Sequence, residues 1–386
     1  MLKKLLIGLL TLLIITYAAA RSLLPEKLDR QHNPVVFAAP YKVSNEVNQF
    51  YQSIDFIADL HGDTLLWKRD ILKEHDYGHL DLPRLQQANV AMQFFTIVNK
   101  VPENLNFDKN DDTTDQLTIP FLLQGRSASD LSERVLEQAG ELHQYSKDSN
   151  GQLVVVTNKK ELQSFISQRK NNKQLTSGLL GIEGGQALEG DIKILDKFYD
   201  AGIRMIGLTH FFDNEIGGSA HGVNKGGITE FGKQVVKAME AKNMLVDLSH
   251  ASPKLIDDVL AMVTKPVMVS HTGVKGTCKS PRNLSDDHLK QIAQTGGIVG
   301  IGFFKPAVCE NTVESIAETI VYTVNLIGAE HVSLGSDFDG SIKAIVEVRG
   351  LPLIAGELQK RGLTNEQIRL VMGGNVKRFF SENLPD

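Results

Sequence analysis

Cysteine and tryptophan are scarce in this chain of 386 residues, which has two of the first and one of the second. A lone pair, Cys278 and Cys309, cannot staple a small scaffold, so a hydrophobic core must supply most of the stability. Charge of one sign is also lacking. Lys and Arg number 41 against 46 Asp and Glu, for a net charge of −5. No basic stripe is present to displace the counterions of a phosphate backbone, which argues against nucleic acid as a partner. There is no fixed-period repeat, no low-complexity tract and no obvious linker. Gly184-Gly185 fits neither the phosphate-loop nor the dinucleotide spacing. What remains is an ordinary globular composition, 42% hydrophobic and 23% charged, large enough for one sizeable domain.

The first twenty residues differ from the rest. Lys3 and Lys4 precede an almost wholly apolar run from Leu5 to Tyr17, followed by Ala18-Ala19-Ala20. A short basic start, an apolar stretch and small residues form the pattern of a secretory signal peptide. The run is shorter than the ~20 residues of a usual spanning helix, and an uncleaved N-terminal anchor is the rival reading. Either places the folded part beyond a membrane, periplasmic or extracellular. We therefore expect residues 1–20 as leader or anchor, 21–48 as an N-terminal extension and 49–386 as a single folded domain. In such a compartment the two cysteines can pair, with two free buried thiols as the alternative.

Beyond the extension, short apolar runs alternate with amphipathic helical patterns. Phe56–Leu60, Val90–Val98, Gly178–Ile182, Met205–Leu208, Met244–Leu248, Val267–Val269, Ile298–Phe303 and Val332–Leu334 read as eight strands. Each is near-continuously apolar, as parallel strands covered on both faces should be. Between them, Ser252-Pro253 and Ser285 supply helix starts, and Gly296-Gly297 supplies a stop. The expected fold is α/β: a (β/α)8 TIM-type barrel, with an open doubly wound sheet as the alternative. The stretch from about Asn99 to Asn150, polar and then helical from Ser129, reads as a helical insertion after the second strand that overhangs the barrel mouth.

Histidine placement carries the chemical signal. Of 11 histidines, His61, His210, His250 and His271 follow or end apolar runs, and strand ends in a barrel converge on one mouth. His61-Gly62-Asp63 points two ligating side chains the same way from an extended chain. Glu183 ends another run, beside glycines that leave room around its carboxylate. Imidazoles and carboxylates together suit zinc, with manganese, cobalt or iron as substitutes. Two carboxylates with three or four of these imidazoles make at least five ligands, which exceed one tetrahedral shell and match two ions sharing a carboxylate. Arg282 reads either as a solvated loop charge or as a guanidinium fork for a substrate carboxylate. Asp337 and Asp339 both end the last strand, and spacing does not choose between them. Trp67 reads as wall packing; Asp213, Asn214, Gly217, Gly218 and His221 either line the pocket or shape its loop.

Several segments, taken in order, resemble one family. They are Asp59-Leu60-His61-Gly62-Asp63, Gly78 to Arg84, Gly181-Ile182-Glu183-Gly184, Leu208-Thr209-His210, Asp247-Leu248-Ser249-His250, Ser270-His271-Thr272, Pro281-Arg282-Asn283, Gly335 to Gly340 and Gly373-Gly374-Asn375. Through nearly the whole mature chain the sequence is similar to the membrane (renal) dipeptidases and their bacterial relatives, metal-dependent barrels of the amidohydrolase-like group. The resemblance implies a binuclear zinc dipeptidase that opens the peptide bond with a metal-bridging hydroxide. By the same resemblance His61 and Asp63 bind one ion, His250 and His271 the other, and Glu183 bridges them. His210 then helps polarise the substrate carbonyl, Arg282 receives the terminal carboxylate, and Asp337 meets the amino end and moves the proton. It also implies a disulfide between Cys278 and Cys309. The loop Asn214–Gly222 departs from the family pattern, because no Trp follows the histidine of the fourth strand, which leaves substrate preference open.

The expected partner is a small dipeptide, with contact to a membrane only through the N-terminal segment; whether the chain forms a homodimer stays open. Two alternatives stand beside this reading: a hydrolase of the same chemistry acting on an N-acyl amino acid or a β-lactam-like ring, and a non-catalytic exported binding protein.

Overall fold

The apolar runs form strands buried on both faces, and all of them run parallel. The computed structural model describes residues 2–386. Its strands are β1 (Ile57–Asp59), β2 (Val90–Val98), β3 (Leu153–Val155), β4 (Thr176–Glu183), β5 (Ile203–Gly207), β6 (Leu245–Asp247), β7 (Met268–Thr272), β8 (Ile298–Ile301) and β9 (Val332–Leu334). Hydrogen bonding proceeds β2-β1-β9-β8-β7-β6-β5-β4, and a further pairing of β2 with β4, from Met92↔Ser177 to Val98↔Glu183, closes the ring. The result is a closed eight-stranded barrel wrapped by helices, as expected for a (β/α)8 fold.

The eight expected strands are all in the barrel; the ninth, β3, was not expected. It pairs with the first residues of β4, from Leu153↔Thr176 to Val155↔Gly178, below the point where β5 joins at Leu180↔Ile203. A three-residue, partly exposed strand on the outside of a barrel leaves almost no periodic trace in sequence.

Alternation of side chains sorts the strands into two apolar layers. In β1, Ile57 faces the main core between barrel and helices, while Ala58 belongs to an inner cluster. Met92, Phe94, Leu179, Met205, Met268 and Ile298 help fill that inner cluster, and the C-terminal helix Asn375–Asn383 adds Phe379 and Phe380 to it. The barrel is therefore a packed core, and only its opposite mouth is free for ligands.

The insertion between β2 and β4 contains helices Thr118–Gln124, Leu131–Asp148 and Lys159–Arg169. Asp130 caps the second by accepting from the Glu133 N–H, and Val135, Ala139 and Leu142 form its buried face. Thr118–Gln124 falls in the part of the insertion read from sequence as merely polar. Its N-terminus lacks a side-chain cap, so the usual start signal is missing. Leu117 and Phe121 join Leu66, Trp67, Val98 and Val101 in a separate apolar cluster above the mouth.

The N-terminal helix runs unbroken from Leu2 to His32, straight through Ala18–Ala20. Its apolar part is exposed and is long and apolar enough to cross a membrane by length and composition, a test that a signal sequence also passes. The last turns dock on the barrel, with Asp29 and Asn33 buried. Cys278 and Cys309 are bonded, joining the loops that follow β7 and β8.

Candidate metal centre

The C-terminal ends of the strands gather the predicted side chains in one buried cluster. Glu183, the last residue of β4, sits at its centre. Its Oε1 lies 3.1 Å from His250 Nε2, 3.4 Å from His271 Nε2 and 3.5 Å from His61 Nε2, while Oε2 turns to His210 Nε2 at 3.1 Å. Asp63 Oδ1 is 3.4 Å from His61 Nε2, and Asp337 Oδ1 is 4.0 Å away. His271 lies within β7, whereas His61, His210 and His250 lie two or three residues beyond their strands, at the start of the loops. His250 and Asp337 both adopt the left-handed backbone region, with φ of 60° and 66°. Such strain in non-glycine residues persists where surrounding structure enforces it, commonly at ligand-binding positions.

Supporting residues set the imidazole tautomers. Ser270 Oγ donates its single hydrogen to Asp247 Oδ2 at 2.6 Å. It must therefore accept from both neighbouring imidazoles, His61 Nδ1 at 2.9 Å and His271 Nδ1 at 3.2 Å. With hydrogens on Nδ1, the Nε2 atoms of His61 and His271 are the ones that face the mouth, the orientation in which an imidazole ligates a metal. Asp247 Oδ1 is held in turn by the Ser249 and Ser270 N–H groups and the Ser249 hydroxyl. Thr96 Oγ1 donates to Asp63 Oδ1 at 2.5 Å, and Asn99 Nδ2 donates to the Glu183 and Gly184 carbonyls at 3.0 Å. Thr96, Asn99 and Ser249 went unassigned in the sequence reading, as did Asp247 and Ser270. Asp247-Leu248-Ser249 carries a local signal, since a short acid two residues before a serine can accept from its backbone; the others are joined only by the fold.

These residues fit a cation. His250 Nε2 and His271 Nε2 approach to 2.9 Å, and His61 Nε2 is buried with no hydrogen-bond partner among the described residues. Among the described residues, three triads of side chains have ligand atoms within 4.8 Å of one another: His61, Glu183 and His271; Glu183, His210 and His250; His61, Asp63 and Asp337. Glu183 and His61 are shared between triads, as expected where two ions sit side by side.

The electrostatics point the same way. Burial, with Asp63 and Asp337 adding to it, holds Glu183 well above the usual carboxylate range. Burial likewise pushes Asp337 far up, with Asp63 adding and His61 opposing. Burial would depress His61, yet Asp63 and Glu183 outweigh it and raise it to about 10. Burial keeps His210, His250 and His271 well below the usual imidazole value, hence neutral. Crowded carboxylates that demand positive charge, beside neutral imidazoles, are the donor set of a divalent metal.

The mouth opens into a cavity of about 670 Å³ lined by Glu183, His210, His250, His271, Arg282 and Asp337 among others. Arg282 is buried and not a solvated loop charge. Its guanidinium donates to the His271 carbonyl at 3.0 Å and lies 4.8 Å over the Phe304 ring. The disulfide steadies this loop, and Asn283 Nδ2 bonds both the Cys278 and Ala307 carbonyls at 2.8 Å. Asp339, the rival of Asp337, points elsewhere and is consumed by the His79 N–H at 2.7 Å, Thr64 Oγ1 at 2.8 Å and Arg69. Trp67 lines the cavity and donates to the Asp339 carbonyl at 2.6 Å. Asp213 shapes its loop by accepting from the Ser219 and Asn224 N–H groups, and Asn214 does so from Ile216 and Gly217. The two glycines allow close approach there: a Cβ on Gly217 would meet Leu255, and one on Gly218 the Gly226 backbone. His221 is buried and packs 5.2 Å from the His250 ring.

The family profile of membrane dipeptidase, peptidase family M19, matches residues 43–384. An uncharacterized dipeptidase of Schizosaccharomyces pombe is 30% identical over 320 residues, 79% of this chain and 72% of that protein. Dipeptidase verJ of Clonostachys rogersoniana is 31% identical over 309 residues, 78% and 75% of the respective chains. A Rhodobacter sphaeroides metallopeptidase, solved with a phosphinate mimic of the dipeptide L-Ala-D-Ala, shares the fold. Its TM-score is 0.70 at 24% identity, covering 85% of this chain and 99% of that one.

Proposed function

The chain belongs to the membrane dipeptidase family, peptidase family M19, and is a metal-dependent peptide-bond hydrolase; from that premise we propose a binuclear zinc dipeptidase acting beyond a membrane. The observation that carries it is Glu183 Oε1 facing the Nε2 atoms of His61, His250 and His271 within 3.1–3.5 Å. His61 and Asp63 would hold one ion and His250 and His271 the other, with Glu183 between them. When bound, such ions would supply Lewis acidity to the scissile carbonyl and would acidify the attacking water near neutral pH.

The remaining steps belong to the protein's own groups. Arg282 pairs with the terminal carboxylate of the substrate and so selects short peptides. His210, kept neutral, donates toward the carbonyl oxygen as charge builds there. The oxygen of water joins the carbonyl carbon as the C–N bond breaks. Asp337 takes the proton that water gives up and passes it to the departing amine. Its carboxyl, pushed upward by burial and by Asp63 against the pull of His61, suits it to carry a proton both ways.

The N-terminal helix is read as the export leader or anchor, ahead of an extension at 21–48 and a catalytic domain at 49–386. The Cys278–Cys309 bond supports an oxidising compartment. A dipeptide panel including L,D pairs and N-acyl amino acids, run before and after chelation and again after zinc restoration, tests the proposal. Turnover of dipeptides that chelation removes and zinc restores is expected; no chelation-sensitive turnover of any dipeptide would refute it.

A further inference from the structure

Residues Leu28, His32 and Val36 line the cavity, although they precede the region at 43–384 that matches the family. They are four residues apart. Over the last turn of the N-terminal helix that spacing stacks side chains on one face, and Val36 continues the line into the strand-like segment that follows.

The segment is fastened to the barrel rather than draped over it. Asp29 is buried against Arg69, which also pairs with Asp339. Asn33 Oδ1 accepts from the Ser341 N–H at 3.0 Å, and His32 Nδ1 meets Ser341 Oγ at 2.8 Å. Val35 bridges Ala344 in parallel, with the Val36 N–H to the Ala344 carbonyl at 2.9 Å and the Ala344 N–H to the Pro34 carbonyl at 3.1 Å. The His32 ring stacks on Trp67 at 5.9 Å.

These contacts lie on the loops after β1 and β9, which carry Asp63 and Asp337, while Arg282 is on the loop after β7. The same side holds the apolar cluster of Leu66, Trp67, Val98, Val101 and Leu117, with Leu28 packed against it. A cavity of about 670 Å³ falls in the range of ~300–1,000 Å³ that encloses drug-sized ligands, more room than a dipeptide of small residues fills.

We propose that Leu28–Val36 forms a selectivity wall, and that the enzyme takes dipeptides whose amino-terminal residue has a large aliphatic or aromatic side chain. The inference rests on the dipeptidase reading, in which Asp337 meets the amino end of the substrate and so places the first side chain against this wall. Covering it with apolar surface stabilises the bound substrate and the transition state alike, so the preference appears in kcat/KM.

The test compares kcat/KM for Phe-Ala, Leu-Ala, Ala-Phe and Ala-Ala on the zinc-loaded full chain. Phe-Ala and Leu-Ala are expected to exceed Ala-Ala by about 10-fold or more, and Phe-Ala to exceed Ala-Phe. Leu28→Trp, which fills the wall, should shrink the Phe-Ala to Ala-Ala ratio. Leu28→Ser, which makes the wall polar, should do so too and provides the reading if the larger side chain unfolds the protein. A wild-type enzyme that hydrolyses all four alike, or ratios unmoved in folded variants of both kinds, overturns the wall. Hydrolysis of none of the four would instead fell the dipeptidase reading, and this inference with it.

Discussion

Asp337 and Asp339 are two residues apart on one loop, both buried, and their surroundings are opposite. Asp339 accepts from His79, Thr64 and Arg69. Burial alone would raise its pKa, but Arg69 and His79 outweigh it and hold the carboxyl below the usual range. Asp337 faces the Glu183 cluster, where burial and Asp63 push it up. One carboxylate is satisfied by its own protein, while the other waits for charge from outside. Buried polar groups are normally paired, so the unpaired cluster is the one that reports function. The Asp339 cluster does its work in the fold, tying the N-terminal segment to the loop that carries Asp337.

Mutations sharpen that contrast. The largest effect is expected from Asp337→Asn, which should lower kcat by about 10²–10⁴-fold, the range for lost acid–base help, with little change in melting temperature. Arg282→Ala should come next. Losing a buried charge partner costs ~2–5 kcal/mol, and kcat/KM should fall on dipeptides far more than on dipeptide amides, which lack the carboxylate. Ser270→Ala removes the acceptor that fixes two tautomers. Zinc affinity by competitive chelation should weaken about 10–100-fold, and an unchanged affinity would discard the tautomer argument. Asp339→Asn should have the smallest effect on kcat and the largest on folding, up to ~3–5 kcal/mol by chemical denaturation, because Arg69 then keeps only Asp29 as a buried charge partner. If the two asparagine variants behave alike, the contrast is lost.

Much of this was legible in the sequence because it is local. Apolar runs mark all eight barrel strands, and a histidine at or just past the end of a run marks the mouth. The disulfide and the sharing of ligands between two ions came from resemblance and not from spacing. What stayed hidden depends on contacts distant in the chain. Nothing near Asp339 reveals that Arg69 and His79 will occupy it, so spacing alone could not choose it or Asp337. β3 is three residues long and pairs only with the start of β4. Thr96, Asn99 and Ser270 are ordinary polar residues until the barrel closes. The docking of the N-terminal extension left no local signal, because its fastening residues, Asp29, Asn33 and His32, find their partners at positions 69 and 341.

The most direct test is the metal content of purified protein after zinc reconstitution and desalting, measured by elemental analysis for the wild type and Glu183→Ala. The account predicts two zinc ions per wild-type chain and loss of the pair in the variant. Wild-type protein that retains no zinc, or a variant that keeps both ions, would contradict it.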